Sequence, residues 1–174
     1  MATTEVRTTV LGNEVALNLS GPWVAYWAVF LRILVGYWFL HAGLTKVLFG
    51  FSAQGYMRFA SQGTITEPVM QAFSSGILLT ITEYAIGWGE LLIGLGLIVG
   101  ALVRLASFFG AFLMAFFYFT NHGWAHGMAN GDFWGMLMFP TLIVLGAGRM
   151  WGLDGWLEST DFVRNNGWVR YLLG

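Results

Sequence analysis

The sequence predicts an all-α membrane protein, a bundle of four transmembrane helices with a short interfacial helix in the first outer loop. Three observations predict it. Of 174 residues, 57% are hydrophobic and only 10% charged, where water-soluble domains carry about 25% charged residues; mean hydropathy is +0.66. Four apolar stretches approach the length of about 20 residues that a hydrocarbon core of about 30 Å demands. The few charges inside those stretches recur at helical spacing. The same composition excludes a disordered chain, which needs low hydrophobicity. A net charge of −1 excludes the basic face of a nucleic-acid binder. With no cysteine, the chain holds no disulfide, thiolate zinc site, iron–sulfur cluster or dithiol pair.

Residues 1–21 read as a polar, Thr-rich N-terminal tail with Glu5, Arg7 and Glu14. It lacks the basic start of a signal peptide, and the apolar run after it is too long for one, so it reads as a retained cytoplasmic tail. A four-helix transmembrane domain follows over 22–152. Its first span, 23–49, holds Arg32, His41 and Lys46. Residues 50–75 form a long connection in which Phe51, Tyr56, Met57, Phe59 and Ala60 recur near helical spacing, with Gly63 and Pro68 as breakers. That pattern predicts one short amphipathic helix at the interface. A shielding loop and a lid over a ligand cavity are equally open.

The second span, 77–100, carries Glu83 and Glu90, and the third, 102–120, opens with Arg104. Almost no linker separates them, which makes them antiparallel neighbours. The fourth, 133–147, contains Pro140, tolerable where neighbouring helices re-satisfy the freed carbonyl. Residues 153–174 form a short amphipathic C-terminal tail. Arg7, Arg104, Arg149, Arg164 and Arg170 fall on the side of both termini, against Lys46 and Arg58 opposite. The positive-inside rule then puts both termini in the cytoplasm of a cell-membrane protein. Trp23, Trp27, Trp124, Trp134 and Trp151 mark the span ends as aromatic belts.

A charge at mid-bilayer costs at least about 2.5–3.5 kcal/mol on insertion scales, so it faces protein or water and finds a partner. The first span aligns Arg32, Gly36, Phe39, Gly43 and Lys46 on one stripe; the second aligns Glu83, Gly87, Glu90, Gly94 and Leu97. Glycines let the backbones approach, so that the ions meet across the seam. Counting about 1.5 Å per residue from the cytoplasmic span ends puts Arg32 and Glu90 at one depth. The expectation is a structural Arg32–Glu90 ion pair, serving either helix register or proton and headgroup handling. An outer cluster of His41, Lys46 and Glu83 is expected nearer the opposite interface, unless His41 faces another neighbour. His122 lies near that level.

A quinone headgroup needs two hydrogen-bonding partners for its carbonyls and a proton source within an apolar aromatic cleft. His41, Glu83 and His122 are the candidate catalytic proton carriers, and Lys46, Phe39, Trp88 and Tyr118 the candidate cofactor-binding residues. Each aromatic taken singly reads equally well as core or lipid-facing. His41, His122 and His126 with Asp132 and Glu83 are also ligand types for a metal or haem. Their spacing supports neither, and no metal site is assigned.

The run Arg32-Ile-Leu-Val-Gly36-Tyr-Trp-Phe39-Leu-His-Ala42-Gly43-Leu-Thr-Lys46 resembles the first-helix pattern of the DoxX/DoxD family of four-helix membrane proteins. Gly87-Trp-Gly-Glu90-Leu-Leu-Ile-Gly94-Leu-Gly96, then Arg104, is similar to its second-helix glutamate–glycine motif and the arginine opening helix three. Gly146-Ala-Gly148-Arg149-Met-Trp-Gly-Leu153-Asp154 is similar to its closing glycine-rich turn. Residue by residue, Arg32, Gly43, Lys46, Glu90, Gly94 and Arg104 match. The resemblance implies a four-helix bundle with two functional precedents. DoxD-type members are the small membrane subunits of thiosulfate:quinone oxidoreductase, working beside a second subunit; other members are accessory proteins of redox or stress-related membrane complexes. Relatives that use cysteine chemistry are not matched by a chain without cysteine. The expected function is a redox-associated, quinone-interacting subunit in the bilayer, with a protein partner or a second copy. The rivals are an accessory or assembly subunit of a larger respiratory complex, and a small transporter or channel. Four helices without inverted repeats speak against transport.

Overall fold

Apolar stretches of the observed lengths leave the backbone no hydrogen-bonding partner but itself, and each becomes a helix. The structure, a computed structural model, describes residues 3–10, 12–121 and 127–174. In chain order it contains strands β1 (Thr3–Val10) and β2 (Asn13–Ser20), then helix α1 (Gly21–Phe49). A π-helical turn (Tyr56–Ala60) and α2 (Glu67–Phe73) precede α3 (Gly76–Val99), α4 (Val103–Thr120) and α5 (Gly131–Val144). The short helices α6 (Leu153–Leu157) and α7 (Asp161–Asn165) and a 3-10 turn (Gly167–Tyr171) end the chain.

Three helices, α1, α3 and α4, are long and apolar enough to cross a membrane, and α5 is a shorter apolar helix. At about 1.5 Å per residue its 14 residues span roughly 21 Å. Leu34, Leu92, Phe108 and Trp134 are among many large apolar side chains exposed around the bundle. Such a surface belongs in lipid, not water. Residues 3–20, expected only as a polar tail, pair instead as an antiparallel hairpin from Thr3↔Ser20 to Val10↔Asn13. Gly12 supplies the left-handed turn residue between the strands, at φ +83°.

Small residues decide the packing. A Cβ on Gly43 would come within 2.6 Å of the Leu91 Cα, and one on Gly94 within 2.5 Å of the Leu40 Cα. Helices α1 and α3 therefore touch backbone to backbone, as the two stripes predict. On its other side α1 meets α5, where the Phe39 and Phe139 rings stand edge to face at 4.9 Å. Helix α4 packs on α5, with Gly110 lying under the Phe139 ring and Gly135 against Met114. Helices α3 and α4 share the tight turn at Gly100, where Ala101 N donates to Gly96 O at 2.8 Å. Toward their far ends the 50–75 connection packs against both helices. Ala53, Met57 and Met70 form a small core there against Phe51, Leu79 and Phe116.

That connection folds as two short helical pieces, not one. Pro68, expected as a breaker, begins α2 in its first turn, where its missing N–H leaves no hydrogen bond unmade.

Candidate functional site

Two polar centres sit at opposite ends of the bundle. The one at the closed end is built by α1 and the C-terminal segment. Arg32 is 2% exposed and donates from Nη1 to the carbonyls of Ala147 (2.6 Å) and Met150 (3.0 Å), and from Nη2 to Trp151 (3.2 Å). These are carbonyls left over where α5 unwinds, and the guanidinium fork satisfies several at once. Asp154, fully buried, accepts from the Leu102 and Val103 amides at 2.7 and 2.9 Å and from Gly174 at 2.9 Å. Its carboxylate thus caps the start of α4, and its charge attracts Arg32. Outside, Arg149 holds Glu158 through Nε at 2.9 Å and Nη2 at 2.8 Å, and this partner raises the already high Arg149 pKa.

The expected Arg32–Glu90 pair is not formed. Glu90 bonds Lys46 instead. The stripes face each other as expected, but their register differs. Gly36 lies against Leu97 and Ile98, Gly43 against Glu90 and Leu91, and Gly100 against Arg32. Glu90 is therefore level with Gly43, which lies roughly 11 residues, or about 16 Å, along α1 from Arg32. Counting from span ends failed because α1 begins well below the α3–α4 turn, its Tyr26 reaching Trp151 at 5.3 Å. The same contact puts the start of α1 and the C-terminal segment at one end of the bundle.

The second centre is a cavity of about 680 Å³ between the connection, α1, α3, α4 and the start of α5. Its walls are apolar and aromatic, with Phe51, Tyr56, Phe73, Phe112, Phe116 and Phe117 among them. Lys46, Thr82, Asn121 and Asp132 supply polar groups. The Lys46 ammonium lies 5.5 Å from the Phe51 ring centre and is matched by the Glu90 carboxylate, 3% exposed. Burial in the wall, and secondarily the charge of Asp132, push the Tyr56 phenol up to about 12, so it remains a neutral hydroxyl near neutral pH.

Of the candidate catalytic and cofactor-binding residues that the structure describes, Lys46 lines this cavity, and Asp132, read from sequence only as a possible metal ligand, joins it. Glu83 does not join Lys46: its carboxylate accepts the Ala53 amide at 2.9 Å and pins the connection to α3. His41 is exposed on α1, with its ring 6.1 Å from Tyr37. The outer His41–Lys46–Glu83 cluster is thus not assembled, because Lys46 turns inward to Glu90. Phe39 is core, 2% exposed, and Trp88 is half exposed on the outer side of α3. Tyr118 is buried beside Phe119 and Phe133 at 5.4 and 5.9 Å, outside the cavity lining. His122 and His126 lie outside the described residues. Among the described residues no three His, Asp or Glu side chains converge as metal ligands. Sequence reasoning used Tyr56 only as part of an amphipathic pattern, passed over Asn121 at the end of an apolar run, and treated Asp154 as the end of a turn.

Lys46→Met should destabilise the bundle by on the order of 2 kcal/mol, because it strands a buried carboxylate. Lys46→Met combined with Glu90→Leu should recover most of that loss. Thermal unfolding in detergent checks both, and a double variant weaker than the single one would contradict the pairing.

A DoxX family model matches residues 27–123, from the lower part of α1 through the connection, α3 and all of α4. No curated protein and no solved structure matches the chain.

Proposed function

Because the chain belongs to the DoxX family of membrane proteins, we propose that it is a redox-associated membrane subunit that receives a quinone-type ring in the cavity above Lys46. The observation that carries this reading is the cavity itself: aromatic walls, hydrogen-bonding groups on more than one side, and room for a ring with part of a tail. Ligand sites in general are apolar clefts of about 300–1,000 Å³ with a few placed polar groups. The residues present suit such a ring. Lys46 and the neutral Tyr56 hydroxyl donate to ring oxygens, Asn121 either donates or accepts, and the phenylalanines give flat contact. When bound, a quinone supplies two-electron, two-proton chemistry. This chain's part is then to bind and orient the ring and exclude water, with Asp132 the lining carboxyl group placed to exchange protons. Glu83, His41 and His122, the proton carriers expected from sequence, stand outside this reading except that Glu83 holds the cavity roof. The electron donor, thiosulfate in the DoxD precedent, is met on a partner subunit. Both termini face the cytoplasm, following the arginine count.

A second reading, an accessory subunit that only assembles a larger complex, is favoured by the total absence of cysteine, which leaves no thiol-borne electron carrier. Extraction of purified protein followed by titration with decylubiquinone separates the two. The quinone reading expects bound quinone near one per chain, and about tenfold weaker titration in Tyr56→Phe combined with Asn121→Leu, two lost hydrogen bonds. Protein that carries no quinone, binds none, and yet copurifies with other subunits would favour assembly.

A further inference from the structure

We infer that the cavity is loaded sideways from the bilayer, through the cleft between α3 and α4, by the apolar chain of a membrane amphiphile whose head rests at the Asn121 end. This rests on reading the cavity as a binding site, but not on the ring chemistry proposed above. Three observations carry it.

The first is architectural. Helices α3 and α4 touch at their shared turn, where Gly96 faces Ala101 and Ala106. Farther along, both line the cavity, α3 through Thr82 and Ile86 and α4 through Phe112 and Leu113. The connection packs against Leu79 and Phe116, nearer the ends of the two helices, and Ile86 and Phe112 lie deeper, while α1 and α5 reach the cavity through Lys46 and Asp132. The second is exposure. Phe112 lines the cavity and yet is 63% exposed on the outside of the bundle, and Thr82 and Ile86 are half-buried. A side chain that is wall and surface at once stands at a mouth. That mouth opens on the helix flank, which in a bilayer is lipid.

The third is the order of polarity. Asn121 and Asp132 lie at the ends of α4 and α5 nearest the interface. Phe112 lies eight residues back from Thr120, about 12 Å deeper, among apolar neighbours. The remaining deep charge, Lys46, is matched by Glu90. The cavity therefore repeats the polarity gradient of one leaflet, head to tail. An amphiphile slides in without turning over and without withdrawing its chain from hydrocarbon.

The chain has no native thiol, so single cysteines report cleanly. Leu113→Cys and, as an outer-surface control, Phe109→Cys are labelled with bimane and reconstituted in phosphatidylcholine vesicles. The quenchers are phosphatidylcholine nitroxide-labelled at mid-chain and aqueous iodide. Lateral loading expects the bimane at 113 to be quenched by the mid-chain nitroxide and not by iodide. Adding Ile86→Trp to plug the mouth should abolish that quenching at 113 and leave it intact at 109. Iodide quenching at 113 would overturn the proposal in favour of an aqueous mouth. Quenching by neither agent, or lipid quenching that survives the plug, would overturn it as well. Failure of decylubiquinone to bind, with lipid quenching present, would strike the quinone reading alone.

Discussion

Arg32→Met should unfold the protein at a much lower temperature than any other single charge removal, a loss of about 3–5 kcal/mol. The guanidinium is the common partner of the Ala147, Met150 and Trp151 carbonyls, the first of them in a buried bond, and its removal orphans the Ala147 carbonyl inside the protein. It also leaves the Asp154 carboxylate, fully buried, without its compensating charge. Arg32→Lys should rescue only part of the loss, since a single ammonium cannot span carbonyls that the planar fork reaches together. The readout is the melting temperature in detergent, with far-ultraviolet dichroism to confirm that the helices form. An Arg32→Met protein that melts with the wild type would remove the guanidinium from the centre of the closed end. The same experiment separates the observed partners from the pair expected at first: Glu90→Gln alone should leave the C-terminal segment docked.

Gly94→Ala should be among the costliest methyl groups that can be added to the bundle, on the order of 3 kcal/mol. The new carbon meets Leu40 backbone and Gly36 O at 2.8 Å, and backbone atoms of a helix cannot step aside as a flexible side chain does. Helices α1 and α3 must separate, which loosens Gly43 against Leu91 and the Lys46–Glu90 bond together. Gly89→Ala is the internal comparison. A Cβ there meets nothing within 4 Å, so the substitution should be neutral or stabilising by up to about 1 kcal/mol through helix propensity. Equal melting of the two variants would show that close approach does not hold this pair of helices.

Much of the fold was legible because lipid is a strict solvent. It forces long apolar runs into helices, and the bounds of α1, α3 and α4 fall within two residues of the expected ones. The glycine stripes also read correctly, since small residues at helical spacing have one main use between helices. Register was not legible. It depends on how far α1 overhangs the α3–α4 turn, a tertiary quantity that hydrophobic length does not encode, and Arg32 and Glu90 were mismatched for that reason. The cavity was legible only as types of residue. Lys46 was found because a cation inside a span demands explanation. Tyr56 and Asn121 lie in segments of mixed composition, where side-chain direction is set by the connection folding back between two helices. His41 and Trp88 were drawn in by chemistry, yet the surface they occupy is one that lipid accepts without any function.

The bundle is clamped at one end and wedged at the other. Arg32 and Asp154 tie the lower turns together, while the opposite ends of α3 and α4 are held apart by Ala53, Met57 and Met70. Lateral pressure in the two leaflets therefore meets unequal resistance. Squeezing the leaflet around the clamp changes little, whereas compressing the other drives α3 and α4 onto their wedge and narrows the space beside it.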